Sequence, residues 1–211
     1  MMRPIRIALT KGRLENRALN LFQTMGLDCT GMIKKGRKLI LPVEDYQVVL
    51  AKAADVITYV EHGACDIGIV GKDTIMECDA KVYEMTDLGF GKCCFALAGK
   101  KGVDFYAGHS EKIIATKYPN VAKKFFEEKD MDVNIIKIEG SVELAPLLGL
   151  ADAIVDIVET GNTIRENDLE VIEEIVPISA RVIVNIASMK LHKEEIEAFL
   201  ADVELAKEIM E

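Results

Sequence analysis

With 211 residues, half of them hydrophobic, the chain has enough apolar material for one large core or two modest lobes joined by short crossings. No apolar run approaches the roughly 20 residues of a membrane span, and Met1–Thr10 lacks the apolar core and small-residue cleavage site of a secretory signal, so a soluble cytoplasmic protein is expected. The net charge of −9 disfavours nonspecific nucleic-acid binding, and five cysteines without Cys-x-x-Cys spacing argue against a disulfide framework and a zinc site. Cys29, Cys65, Cys78, Cys93 and Cys94 read as reduced thiols, mostly packing. His62, His109 and His192 share no metal-ligand spacing and suit surface or cap positions, so no permanent metal is expected.

Along the chain, Ile5–Leu9 reads as a short strand after Pro4, and Thr10-Lys11-Gly12-Arg13 as a turn. Leu14, Ala18, Leu21, Phe22 and Met25 then recur at helical spacing until Gly26 ends the helix. Leu39–Leu41 and Gln47–Ala51 read as strands flanking a turn at Pro42–Asp45, and Asp55 can cap a helix that runs to His62 before Gly63 stops it. Asp66–Val70 is a buried strand leading into Gly71-Lys72-Asp73-Thr74 and a short helix, and Lys92–Ala98 is a strand of mixed polarity. A strand at Ile113–Ala115, a helix at Val121–Glu128, a strand at Val133–Ile138 and a helix at Val142–Leu148 follow, and this alternation argues an α/β fold. Val171–Ile178 and Arg181–Ile186 look extended. Lys193–Met210, with Ile196, Phe199, Leu200, Val203, Leu205 and Ile209, reads as an amphipathic helix.

The most informative stretch is Asp152–Asn167. Ala153, Ile154, Val155, Ile157 and Val158 form a nearly continuous apolar run, the pattern of a strand covered on both faces in a parallel sheet. It runs into Thr160-Gly161-Asn162-Thr163, which offers two hydroxyls, an amide and a free-turning backbone where a helix would begin. Such a junction is either an ordinary turn with an N-cap or an anion cradle. Asp156 and Glu159 beside it suit a ligand that also carries hydroxyls or a magnesium ion, which points to a sugar phosphate.

Charge is unevenly distributed. Residues 1–40 carry nine Lys or Arg against Glu15 and Asp28, a net of +7, which leaves −16 for the remainder. The basic arm is either a solvated face or a set of cations converging on a polyanion. In addition, Gly63-Ala-Cys-Asp66 through Thr74 and Gly149-Leu-Ala-Asp152 through Thr163 share one order: helix cap, Asp, apolar strand, glycine-bearing polar turn, helix start. Two similar α/β lobes with a cleft between them would put both turns at strand C-terminal ends, where open sheets bind ligands.

Taken together, Ala8-Leu-Thr-Lys-Gly-Arg13, Gly36-Arg37-Lys38-Leu39, Asp55 through Gly63, Asp66 through Asp73, Ala115-Thr-Lys-Tyr-Pro-Asn120, and Glu139 through Pro146 followed by Asp152–Asn167 form an ordered set. This set resembles the ATP phosphoribosyltransferase family, the first enzymes of histidine biosynthesis, in its short form. The resemblance covers nearly the whole chain. It implies a two-lobed fold like type II periplasmic binding proteins with a ligand cleft, residues 1–90 plus 179–211 forming lobe one and 91–178 lobe two. It also implies that N1 of ATP attacks C1 of 5-phosphoribosyl 1-pyrophosphate and expels pyrophosphate, with Mg2+ accompanying the phosphates.

On that resemblance, Glu159, Thr160, Gly161, Asn162 and Thr163 would hold the 5-phosphate, and Asp156 would accept hydrogen bonds from ribose hydroxyls. Lys11, Arg13 and Arg37 would meet the pyrophosphate and triphosphate as the catalytic cations. Lys72 and Asp73 are either substrate contacts or a helix start, and Glu139 and Glu143 either assist ribose or magnesium binding or cap a helix. Cys93-Cys94 departs from the family, which often has a basic or polar residue after the cysteine, and strand packing is the expected role. With the chain ending at Glu211, the resemblance implies a catalytic subunit without the histidine-binding domain of long-form members. Its expected partners are a second catalytic chain and a regulatory subunit similar to histidyl-tRNA synthetase, in a hetero-octamer. A solute-binding module on the same fold, or a transferase acting on another base, is the competing reading.

Overall fold

In the computed structural model, residues 3–108 and 110–210 are described, so Met1, Met2, Glu211 and the His109 considered above lie outside the described residues. The elements run β1 (Ile5–Thr10), α1 (Arg13–Thr24), α2 (Thr30–Ile33), β2 (Ile40–Val43), β3 (Tyr46–Ala51), α3 (Ala53–Glu61), β4 (Ile67–Gly71), α4 (Lys72–Cys78) and β5 (Tyr83–Asp87). They continue through β6 (Cys93–Lys100), β7 (Lys112–Thr116), α5 (Pro119–Glu127), β8 (Val133–Lys137), α6 (Leu144–Leu147), β9 (Ala153–Val158), α7 (Asn162–Glu166) and β10 (Leu169–Ile178). The chain closes with β11 (Ala180–Val184), α8 (Ser188–Leu191) and α9 (Lys193–Met210). Residues up to Gly91 together with those from Ser179 onward form one unit, and Lys92–Ile178 forms the other. Among the described residues no helix is long and apolar enough to cross a membrane.

The first unit is built on a six-stranded sheet in the order β2-β3-β1-β4-β11-β5. β1 lies parallel to both β3 and β4, and β11 runs antiparallel to β4 and β5. Helices cover both faces, which is why β1 and β4 read as almost unbroken apolar runs. On one face Leu21 and Phe22 of α1 meet Phe199 and Val203 of α9, with the Phe199 ring 6.3 Å from Phe22 and 5.4 Å from Tyr46. On the other face Val56, Ile57 and Val60 of α3 pack against Ala8, Val70 and Ile183. In α9 the buried face is Ile196, Phe199, Val203 and Ala206, at the spacing of one helical stripe. Leu205 and Ile209, counted into that stripe above, are instead 61% and 73% exposed.

α3 approaches the sheet so closely that Gly68 on β4 has no room for a side chain. A Cβ there would stand 2.8 Å from Val60 Cγ2 and 2.8 Å from Ile183 Cγ1. Gly68→Val is therefore expected to cost about 3 kcal/mol through overpacking, read as a lower denaturation midpoint. A variant as stable as the parent would contradict this packing.

The second unit has a five-stranded sheet in the order β10-β6-β9-β7-β8. β7 pairs parallel with β8 and β9, while β6 pairs antiparallel with β9 and β10. The expectation of an all-parallel environment for β9 is thus corrected: its ladder is parallel on one side and antiparallel on the other. Only Ala153, Ile154 and Val155 are fully buried; Asp156, Ile157 and Val158 are half-buried. α5 places Val121, Ala122, Phe125 and Phe126 in the core at helical spacing.

Each unit contains the same anchored helix-to-strand junction. Asp66 receives the Arg6 N–H on Oδ2 at 2.9 Å while its own N–H donates to the Arg6 carbonyl at 2.9 Å. Asp152 does the same with Ile113, at 2.8 Å in both directions. Three residues further on, the Ile69 carbonyl accepts the Thr10 hydroxyl at 3.2 Å, and the Val155 carbonyl accepts the Thr116 hydroxyl at 2.6 Å. The similarity between residues 63–74 and 149–163 therefore extends to a Thr-Lys pair at the end of the neighbouring strand, Thr10-Lys11 in one unit and Thr116-Lys117 in the other.

Some local readings change. Pro42 belongs to β2, an edge strand where its missing N–H costs no ladder bond, and the turn tightens to Glu44-Asp45 with Glu44 at φ 47°. α3 begins at Ala53 after Lys52, so Asp55 lies in the first turn as a favourable charge rather than as the cap. α2, β5 and α8 were not anticipated from the sequence.

Candidate functional site

In the first unit, the C-terminal end of β1 carries the first group of cations. The Lys11 N–H donates to the Ala51 carbonyl at 3.0 Å, which fixes the backbone where the chain leaves the sheet. Gly12 then adopts φ 92°, a conformation that strains any side-chain-bearing residue, and Arg13 opens α1. The Lys11 and Arg13 side chains are exposed. Glu15, in the first turn of α1, is buried and ion-paired to Lys35, and its Oε2 lies 3.5 Å from the Gly12 N–H. That pair ties the turn carrying Gly36, Arg37 and Lys38 to the start of α1, so the two basic segments are joined within one unit. Arg37 itself is exposed.

Lys72 and Asp73 open α4. Lys72 Nζ is paired with Glu84 on β5, whose carboxylate also lies 3.5 Å from Arg181 Nε, so the Lys72 charge is engaged inside the unit. Asp73 sits in the first turn of α4, accepting the Thr74 hydroxyl at 3.3 Å, where a negative charge favours the helix start. This geometry suits the helix-start reading of both residues.

In the second unit the turn after β9 is arranged around Gly161, at φ 71°. The Thr160 hydroxyl accepts the Asn162 N–H at 3.4 Å, and the Gly161 carbonyl accepts the Arg165 N–H at 3.0 Å. The Arg165 guanidinium folds back over the turn: Nη2 donates to Asn162 Oδ1, and Nη1 is 3.0 Å from where a Gly161 Cβ would stand. Arg165 was missed from the sequence, although its spacing from Asn162 is that of two neighbours on a helix face. Glu159, Thr160, Asn162 and Thr163 are exposed around it. The turn thus carries hydroxyls, backbone amides and a guanidinium, the kinds of group that bind an anion.

Asp156 lies three residues before this turn, half-buried on β9 opposite Ala96 of β6. Burial pushes its carboxyl up to about 6; the Ile157 N–H draws it down, Glu143 raises it, and Lys117 lowers it again. Glu143 stands immediately before α6, near enough to Asp156 to act on its charge. Glu139 is on the exterior, paired with Lys137 at 2.8 Å, and that bond holds its carboxyl below the ordinary value. Lys117 was not singled out above, yet its charge reaches both Asp156 and Glu139. A cavity of about 370 Å³ lined by Lys100, Phe105, Lys112, Asp152 and Ile172 lies at the opposite, N-terminal end of β7 and β9 and contains none of these groups. Among the described residues, no group of three or more His, Cys, Asp or Glu could hold a metal ion. His62 and His192 are C-caps of α3 and α8.

The sequence matches the family model for ATP phosphoribosyltransferase (HisG) over residues 52–205. The chain belongs to this family. An ATP phosphoribosyltransferase of Clostridium kluyveri is 60% identical over 205 residues, covering 96% of this chain and 94% of the relative. One from Clostridium botulinum is 56% identical over 206 residues, covering 96% and 97%. A solved chain from the ATP phosphoribosyl transferase (HisG:HisZ) complex of Thermotoga maritima superposes with a TM-score of 0.83 at 34% identity, covering 97% of this chain and 98% of that one. The periplasmic aliphatic sulphonate binding protein SsuA of Escherichia coli, at 8% identity, a TM-score of 0.58 and coverage of 98% and 73%, shares the fold alone. The ATP phosphoribosyltransferase family therefore presents here as a two-unit α/β chain of the type II periplasmic-binding-protein kind.

Proposed function

We propose that this chain is the catalytic subunit of an ATP phosphoribosyltransferase and carries out the first step of histidine biosynthesis. N1 of the ATP adenine forms a bond to C1 of 5-phosphoribosyl 1-pyrophosphate as the bond from C1 to the pyrophosphate oxygen breaks, and pyrophosphate leaves with the electron pair. The observation that carries this reading is the turn after β9, with Thr160, Gly161, Asn162, Thr163 and the overlying Arg165, in a chain related to named ATP phosphoribosyltransferases along almost its full length.

The turn takes the 5-phosphate, and Asp156 accepts hydrogen bonds from the ribose hydroxyls. Lys11, Arg13 and Arg37 take the polyphosphate groups, where fixed cations stabilise the charge that grows on the departing pyrophosphate more than they stabilise the ground state. No protein nucleophile is needed; orientation and electrostatics supply the acceleration. The residues that meet the polyphosphates remain Lys11, Arg13 and Arg37, and magnesium bound to the substrate phosphates would supply further neutralisation of their charge. A regulatory subunit similar to histidyl-tRNA synthetase, in a hetero-octamer with catalytic dimers, is the proposed assembly. The HisG:HisZ complex of the Thermotoga maritima relative supports the partnership. The cytoplasm is the proposed location.

Thr163→Val, which removes one hydroxyl from the turn and keeps the volume, is expected to raise the KM for 5-phosphoribosyl 1-pyrophosphate about tenfold and that for ATP less than twofold. Equal losses for the two substrates in steady-state kinetics would count against the turn as the phosphate site.

A further inference from the structure

The end of β7 holds a lysine in a more defined setting than its exposure suggests. Thr116 is fully buried; its hydroxyl donates to the Val155 carbonyl at 2.6 Å and accepts the Tyr118 N–H at 2.9 Å. Thr116 is also the register partner of Val155, so Lys117 and Asp156 each follow directly on this clamped pair, on neighbouring strands. Tyr118 is held in turn, its ring edge-on to Phe95 at 4.9 Å, and Lys117 Nζ lies 5.8 Å from the Tyr118 ring centroid. Phe95 is the β6 partner of Ile157, so the aromatic pair lies beside the strand that carries Asp156.

The charges around Asp156 come from separate elements. Lys117 follows β7, and Glu143 precedes α6. On β6 the directly paired residue is the neutral Ala96, with the Cys94 thiol two residues away. Glu139, paired with Lys137, also feels Lys117.

We propose that Lys117 is a positioning residue for substrate binding: set beside Asp156 by the Thr116–Val155 register, its ammonium joins the Ile157 N–H in favouring the carboxylate that accepts two ribose hydroxyls, and Glu143 opposes it. The proposal rests on the reading above that Asp156 holds the ribose of 5-phosphoribosyl 1-pyrophosphate. Its chemical basis is that a protonated carboxyl spends one oxygen as a donor, while the carboxylate accepts on both. Burial that brings Asp156 up to about 6 makes its charge sensitive to small neighbouring effects near neutrality.

The test follows Asp156 by carbon-13 NMR of aspartate side chains, assigned with Asp156→Asn, alongside calorimetric binding of 5-phosphoribosyl 1-pyrophosphate at pH about 5.5 and about 8. Lys117→Met is expected to raise the Asp156 midpoint and to weaken binding two- to threefold at the lower pH, with almost no loss at the higher. Lys117→Arg should behave as the parent, and Glu143→Gln should move the midpoint down. An unchanged midpoint in Lys117→Met would overturn the proposal. So would an equal loss of affinity at both pH values, the signature of a direct phosphate contact. If the parent chain fails to bind 5-phosphoribosyl 1-pyrophosphate, the functional reading fails instead, and the midpoint still decides whether Lys117 governs Asp156.

Discussion

Lys11→Met is expected to lower turnover about a hundredfold, the order found when one preorganised charge-stabilising group is removed from an active site. The backbone at this position is fixed by the bond to the Ala51 carbonyl and by the left-handed turn at Gly12, while the side chain is exposed at the end of a central strand. The stem of this lysine is therefore anchored before substrate arrives, and the expected loss follows if its ammonium meets the departing pyrophosphate, as proposed above. Loss of an exposed charge should leave stability within about 0.5 kcal/mol, a shift of at most about 2 °C in the melting temperature. Steady-state kinetics and a thermal melt on the same preparation separate the outcomes. Unchanged turnover would remove Lys11 from the site, and a large drop in melting temperature would make it a structural residue.

The second large effect concerns folding and exploits the repeated junction. Asp66 is fully buried and receives Arg3 through Nη1 at 2.6 Å and Nη2 at 2.9 Å, the Arg6 N–H at 2.9 Å and the Ser188 hydroxyl at 2.7 Å. Asp66→Ala strands the Arg6 and Ser188 donors, and the expected loss is about 3 kcal/mol. Asp152 makes the equivalent bond to the Ile113 N–H from an exposed position, where water replaces it, so Asp152→Ala should cost about 1 kcal/mol. Chemical denaturation of the two variants measures the difference; equal losses would mean that burial and the extra donors at Asp66 contribute nothing. The same bonds give a pH dependence. Burial alone would raise the Asp66 carboxyl, but the Arg3, Arg6 and Ser188 donors outweigh it and hold the group below its ordinary value of 3.8. A carboxyl depressed in the folded state stabilises fully above its unfolded value and loses that contribution as pH falls through the folded one. The first unit should accordingly weaken only below pH about 4, and Asp66→Ala should flatten that acid limb.

How far these features were legible in the sequence follows from the range of the interactions that create them. α9 could be read to its ends because its apolar residues recur at helical spacing within one segment. The turn at Gly161 was equally local. β5 was not, because Tyr83, Glu84, Met85 and Asp87 are exposed and its strand character comes from pairing with β11, about a hundred residues away. The antiparallel partner of β9 was hidden for the same reason: an apolar run reports burial, not the direction of its neighbours. Within the candidate site, Asp156, Gly161 and Thr163 stood out by sequence context, whereas only the Thr116–Val155 register sets Lys117 beside Asp156. Lys72 shows the reverse. Its position at a glycine turn left a substrate contact and a helix start both open, and only the fold brings Glu84 to its ammonium.

The proposed activity is the joining of the phosphoribosyl group to N1 of ATP. It is tested most directly by incubating the chain with ATP, 5-phosphoribosyl 1-pyrophosphate, magnesium and pyrophosphatase, with and without its regulatory subunit, and following the products by mass spectrometry. Accumulation of phosphoribosyl-ATP is the predicted result, and absence of that product in both mixtures would contradict the account.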